Sequence, residues 1–144
     1  MTRLLVDTSV LIKWFHDTGE SELAEARAIR DAHLSGELDA HVLDLAIYEV
    51  GNVLARALKW TAADVSDQLD DLLVIVGSPI VMAQGWLRDA AVLAEKHVLS
   101  FYDASWAAAA AALGVSLVSA DRRLLAVGLA ESPSAVASRL NLGS

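Results

Sequence analysis

The chain of 144 residues has no cysteine. That excludes a disulfide framework, a thiolate nucleophile and a cysteine-based metal site, and it fits a cytosolic home. Basic charge is scarce: 11 Lys and Arg stand against 19 Asp and Glu, for a net charge of −8. A broad nucleic-acid-binding surface needs a basic footprint and is therefore not expected. A nuclease is not excluded, because a site built from carboxylates is itself acidic and a bound cation reverses its local sign. Long apolar runs are missing as well. Charges interrupt every one, so no membrane span is expected. Leu4, Leu5 and Val6 are followed at once by Asp7, which is not a secretory pattern.

What is present is apolar. The hydrophobic fraction is 55%, with much of the excess in helix-favouring alanine. The length suits one domain, residues 1–144, with a real core. Leu4-Leu5-Val6-Asp7-Thr8-Ser9 organises the rest. It reads as a buried central strand delivering a carboxylate to its carboxyl end, where ligands bind in open α/β sheets. A helix is expected over roughly 9–15, and a second from Ser21 to about His33, stopped by Ser35-Gly36. A strand is expected over 40–43. Asp44 is expected to cap a third helix running to about Trp60, and Thr61 a fourth with Leu69, Leu72, Leu73 and Val76 inward. Gly77-Ser78-Pro79 breaks that helix, and Ile80-Val81-Met82 reads as a short strand. Further helices fall over 84–97, with Trp86, Leu87, Ala90, Ala91 and Ala94 as packing candidates, and from Ser100 to Leu113. Val115–Val118 is a second core strand. A short helix to about Val127, a last strand at 129–131 and a helix after Ser132-Pro133 complete the chain. Strands alternating with helices predict a parallel sheet covered on both faces.

Four acids fit one edge of such a sheet. Asp7 ends the first strand and Asp121 follows the strand at 115–118. Asp103 falls in the first turn of the sixth helix, and Glu49 lies inside the third. Each has a plainer reading. Asp7 can cap a helix; Ser100 and Asp103 have capping-box spacing; Ser119 can be the N-cap of the helix containing Asp121. Glu49 is no cap and has mostly apolar neighbours, so it is either paired or metal-bound in the interior, or on a solvent face with Asn52 and Arg56. Converging carboxylates raise one another's pKa and stay ionised together only beside a cation. All-oxygen ligands suit Mg²⁺ or Mn²⁺. Such an ion polarises a phosphoryl oxygen and acidifies a bound water, which favours phosphodiester hydrolysis.

Leu5-Val6-Asp7-Thr8-Ser9-Val10-Leu11-Ile12, Tyr48-Glu49-Val50-Gly51-Asn52-Val53-Leu54, Tyr102-Asp103-Ala104 and Ser119-Ala120-Asp121-Arg122-Arg123-Leu124 resemble PIN-domain proteins, in family order and across nearly the whole chain. The likeness is greatest to VapC-type ribonuclease toxins of toxin–antitoxin pairs. The resemblance implies a three-layer α/β/α fold with a central, mostly parallel sheet of four to five strands. It implies a cytoplasmic endoribonuclease using Mg²⁺ or Mn²⁺. Asp7, Glu49, Asp103 and Asp121 would be the acidic quartet, with Asp7 and Asp103 as direct metal ligands. Glu49 and Asp121 would bind the ion directly or through water, or orient the nucleophile. Ser9 and Ser119 match hydroxyl positions that support such sites. RNA would be the substrate, a homodimer the usual assembly, and a small antitoxin the partner whose tail occupies the cleft.

Trp14, Trp60, Trp86 and Trp106 suit core or interface packing better than base stacking. The four histidines show no ligand spacing. Lys13 lies one turn beyond Ser9, where it either reaches a phosphate or snorkels along the surface. Two other readings stay open. One is an inert PIN-like module that binds RNA or protein without cutting. The other is a receiver-type phosphotransfer domain, which lacks its lysine here because Ser119-Ala120-Asp121 stands in that place.

Overall fold

The computed structural model describes residues 1–143. At its centre β1 (Thr2–Val6) lies between β2 (Leu38–His41) and β3 (Ser116–Val118), and both pairings are parallel. Single-residue parallel bridges, Leu43 to Ile80 and Val118 to Glu131, add one position beyond each outer strand. The expected four to five strands are thus three full strands and two bridges. Leu4, Leu5 and Val6 are wholly buried, as a continuous apolar run covered on both faces must be.

Helix α1 (Thr8–Leu11) follows β1 and tightens into a 3-10 turn over Ile12–Trp14. Helix α2 (Leu23–Leu34) then leads to β2. Helices α3 (Leu45–Asn52), α4 (Ala62–Val76), α5 (Gln84–His97) and α6 (Phe101–Leu113) make the long return to β3. Helices α7 (Arg122–Ala126) and α8 (Pro133–Arg139) close the described chain. Parallel crossovers are right-handed. The return from β2 past β1 to β3 therefore puts α6 on the opposite face from α2.

Caps explain most boundaries. Ser100 accepts from the Asp103 N–H at 3.0 Å, Thr61 from the Asp64 N–H at 3.2 Å and Ser132 from the Ala135 N–H at 3.1 Å. Gly114 closes α6 at φ 66°, a conformation that favours glycine. Along α6, Ala104 and Ala107–Ala110 are buried, and the small side chains let α5 and the sheet approach closely.

Several expectations are corrected. The second helix begins at Leu23 rather than Ser21, because Lys13 Nζ holds the Ser21 carbonyl at 2.7 Å and Glu20 at 3.1 Å. Lys13 is therefore a buried tie, neither a phosphate ligand nor a surface lysine. Glu22, at the helix start, has φ 55°, and its carboxylate accepts from Ser134 N–H and Oγ on α8. Asp44 gives no side-chain cap; its N–H donates to Ile80 O, tying the start of α3 to the bridge. The third helix stops being α-helical at Asn52 and continues as a π-helical turn, Val53–Ala57. Leu73 on α4 and Leu87 and Ala91 on α5 face outward, whereas Leu72, Val76 and Ala90 face the core. The expected strands at 80–82 and 129–131 each shrink to one bridged residue.

His33 joins three elements. Its Nδ1 accepts from the Ala40 N–H on β2 at 3.0 Å, so its Nε2–H donates to Ile75 O on α4 at 2.6 Å. His33→Ala orphans both backbone groups. It is expected to lower unfolding stability by about 1–3 kcal/mol, read as an earlier urea midpoint.

Candidate active site

The connections from β1 and β3 leave in opposite directions, one toward β2 and the other toward the Glu131 bridge. A crevice between the two strand ends follows from that divergence. Asp7 sits at the end of β1, and its N–H donates to Val118 O at 3.1 Å. Ser119, Ala120 and Asp121 follow β3 directly.

Ser9 stitches the two ends together. Its Oγ donates to Asp7 Oδ1 and accepts from the Ala120 N–H at 2.9 Å. The Ser9 N–H also donates to Asp7 Oδ1, at 3.1 Å, so Asp7 is indeed the N-cap of α1. Ser119 Oγ lies 3.5 Å from Ser9 Oγ and accepts from the Asp121 N–H at 2.9 Å. Ser119 is not the helix cap. Asp121 caps α7 itself, its Oδ1 accepting from the Arg123 and Leu124 N–H groups.

Glu49 reaches the same crevice from α3. Its Oε1 accepts from Thr8 Oγ1 at 2.9 Å and from Trp106 Nε1 at 3.2 Å. Both donors use Oε1, so Oε2 accepts no hydrogen bond among the described residues, and Glu49 lines a cleft of about 330 Å³ together with Leu45, Tyr48, Asn52 and Tyr102. Thr8 and Trp106 are contacts to Glu49 that sequence reasoning missed. The signal for Thr8 was its place beside Asp7; for the buried Trp106, an indole N–H that needs an acceptor.

The carboxylates sense one another. Burial pushes Asp7 up from 3.8 to about 6, hydrogen bonds from Ser119, Ser9 and the Val10 N–H pull the other way, and the charge of Asp103 adds to the rise. Asp103 is raised by burial first and then by Asp121, while the Ser100 hydrogen bond and the charge of Arg123 oppose the shift. Asp7, Asp103 and Asp121 thus form a chain of electrostatic neighbours, and Thr8 links Glu49 to it. As the side chains lie, no group of three or more Asp, Glu or His among the described residues is arranged to hold a metal ion. A larger cleft of about 510 Å³, lined by Lys59, Trp60, Asp64 and Asp67 among others, contains none of the four acids.

Residues 4–129 match the PIN domain family. The chain belongs to that family. It is 35% identical over 126 residues to Ribonuclease VapC3 of Pyrobaculum aerophilum, covering 85% of this chain and 92% of the relative. It is 35% identical over 85 residues to Exonuclease VapC9 of the same organism, covering 59% of this chain and 64% of that one. The crystal structure of PAE2754 from Pyrobaculum aerophilum superposes with a TM-score of 0.69 at 28% identity, covering 97% of this chain and 96% of the other. A toxin–antitoxin complex from Klebsiella pneumoniae gives a TM-score of 0.66 at 19% identity, over 90% of this chain and 97% of the other, a likeness of fold.

In this PIN domain the buried Asp7 links stability to pH. Its folded pKa lies above the unfolded one, so the folded state holds the extra proton between about 4 and 6. Stability is therefore greatest below about pH 4 on this account, and the penalty, roughly 3 kcal/mol, is complete above about pH 6. In chelator-containing buffer, Asp7→Asn is expected to keep the cap, raise stability near pH 8 by about 1–3 kcal/mol and flatten the slope between pH 4 and 6. Denaturant melts across that range check it; an unchanged slope would mean that Asp7 ionises freely.

Proposed function

We propose that this PIN domain is a metal-dependent endoribonuclease and the toxin of a toxin–antitoxin pair. The observation that carries the reading is the shared crevice: a buried Asp7 with a raised pKa, Asp103 raised in part by Asp121, and Glu49 fixed with one oxygen free. Kinship to a relative named as a ribonuclease supports the same chemistry.

The donor set fits a hard divalent ion. It is all oxygen, and the carboxylates that burial and mutual repulsion drive toward protonation are those a cation would hold ionised. Asp7 and Asp103 would be its direct ligands, with Glu49 and Asp121 binding directly or through water. When bound, Mg²⁺ or Mn²⁺ neutralises the carboxylates and polarises a phosphoryl oxygen. The chain's own residues do the rest. Thr8 and Trp106 hold Glu49 so that Oε2 accepts a proton from the attacking water. The water oxygen bonds to phosphorus as the P–O3′ bond breaks, and the leaving oxygen takes a proton from solvent. Ser9 and Ser119 keep Asp7 and the 119–121 loop in register. Arg122 and Arg123, both exposed beside Asp121, supply positive charge for a phosphate in an otherwise acidic chain.

The antitoxin partner, the homodimer and a cytoplasmic location rest on the VapC resemblance. No described helix is long and apolar enough to cross a membrane. A receiver-type reading has no support in a PIN-family chain.

A circular RNA separates internal cutting from trimming at an end. The protein with Mn²⁺ is expected to open circular RNA, and Asp7→Asn or Asp103→Asn to abolish cleavage while retaining the wild-type circular dichroism spectrum. Circular RNA left intact while linear RNA shortens would replace the endonuclease by an exonuclease; full activity in the purified variants would defeat the site. Mn²⁺ is expected to raise the melting temperature of wild type and not of Asp7→Asn, as mass action requires. Trp106→Phe removes one donor to Glu49 and is expected to lower kcat by about tenfold with KM unchanged.

A further inference from the structure

The sequence contains only two tyrosines. Both line the cleft beside Glu49, and each is the immediate neighbour of a site acid, Tyr48 of Glu49 and Tyr102 of Asp103. We propose that Tyr48, Asn52 and Tyr102 form a nucleobase-binding cleft that holds an unpaired base of the RNA next to the bond being cut. This rests on the ribonuclease reading above and names which part of the substrate the site grips.

Helical spacing builds one wall. Leu45, Tyr48, Glu49 and Asn52 fall on one stripe of α3, three and four residues apart. Tyr102 supplies the other wall from the first turn of α6. Tyr48 and Tyr102 are 75% and 61% exposed. Large aromatic side chains are ordinarily drawn into cores, and exposed ones gathered in one place mark a contact surface. Among the described residues neither phenol hydroxyl has a hydrogen-bond partner, and neither has the Asn52 amide. The cleft therefore offers two π-faces, an apolar floor from Leu45, and an amide that both donates and accepts.

Charge selects the occupant. Among the described residues no Lys or Arg lines the cleft, and Glu49 does, so a phosphate or an acidic peptide is repelled. A base is uncharged, stacks on aromatic rings and presents exocyclic amines to a carboxylate. The cleft is continuous with the acid site through Glu49, so the base belongs to a nucleotide flanking the scissile phosphate. Single-stranded RNA is required, because a paired base is already stacked within its helix.

The test uses a single-stranded oligoribonucleotide that the wild-type protein cuts at a mapped bond. Tyr48→Ala and Tyr102→Ala are each expected to raise KM by about 5- to 150-fold, the range that loss of one base–aromatic stack gives, with kcat changed little. Phenylalanine at either position is expected to restore KM, and leucine is not. In the uncleaving Asp103→Asn background, an abasic nucleotide beside the mapped bond is expected to weaken binding as Tyr102→Ala does, without further loss when the two are combined. Alanine variants with KM within twofold of wild type, or losses that add fully, overturn the proposal while leaving the ribonuclease reading intact. Alanine variants that bind RNA normally but no longer self-associate assign the cleft to a second copy of the chain and also overturn it. If the wild type neither cuts nor binds RNA, both readings fall together.

Discussion

A carboxylate taken out of water at the end of the central strand is the constraint on which this protein depends. Leu4, Leu5 and Val6 fix β1 in the core, and the chain has no freedom to carry Asp7 to the surface. The surroundings are built around that fact. The Ser119 and Ser9 hydroxyls and the Val10 N–H all stabilise the ionised form, yet burial outweighs them. A site that resists its own ionisation is poised to accept positive charge from outside.

Two kinds of positioning meet at that point. Sheet topology brings Asp7 and the 119–121 loop together, because neighbouring parallel strands end at one edge and their connections part there. Helix contacts bring the other two acids. Asp103 comes in on α6, whose buried alanines permit close approach, and Glu49 on α3, held by Thr8 and Trp106. The conflict between capping and function at these residues dissolves in the structure. Asp7 caps α1 through one oxygen, Asp121 caps α7, and Ser100 caps α6 over Asp103, so three of the acids are fixed by the same bonds that start helices.

What could be read in advance followed from strong local signals. The apolar run into Asp7, the Ser100 and Thr61 caps and the Gly114 stop gave α4, α5 and α6 within a residue or so. Outcomes that depend on distant partners were not legible. Nothing near Ser21 announces that Lys13 will take its carbonyl. Nothing in 80–82 or 129–131 tells a bridge from a strand, since pairing length is set by the neighbour. The inward face of α4 was misjudged at Leu73 because Leu72 and Leu73 are equivalent in pattern and only the packing decides. The acids were legible by position, whereas the fixing of Glu49 required an indole from a helix more than fifty residues away, 57 in sequence.

The narrowness of the outer sheet positions has its own consequence. More than half of this sequence, 55%, is hydrophobic, a composition that invites polymerisation through unpaired backbone. Each margin here ends in a one-residue bridge, at Ile80 and at Glu131, and the latter is a charged residue engaged by Arg139. Such margins offer an incoming strand almost no ladder to extend. Sheet growth by strand addition is thereby disfavoured where the bridges sit, beyond the carboxyl end of β2 and beside β3.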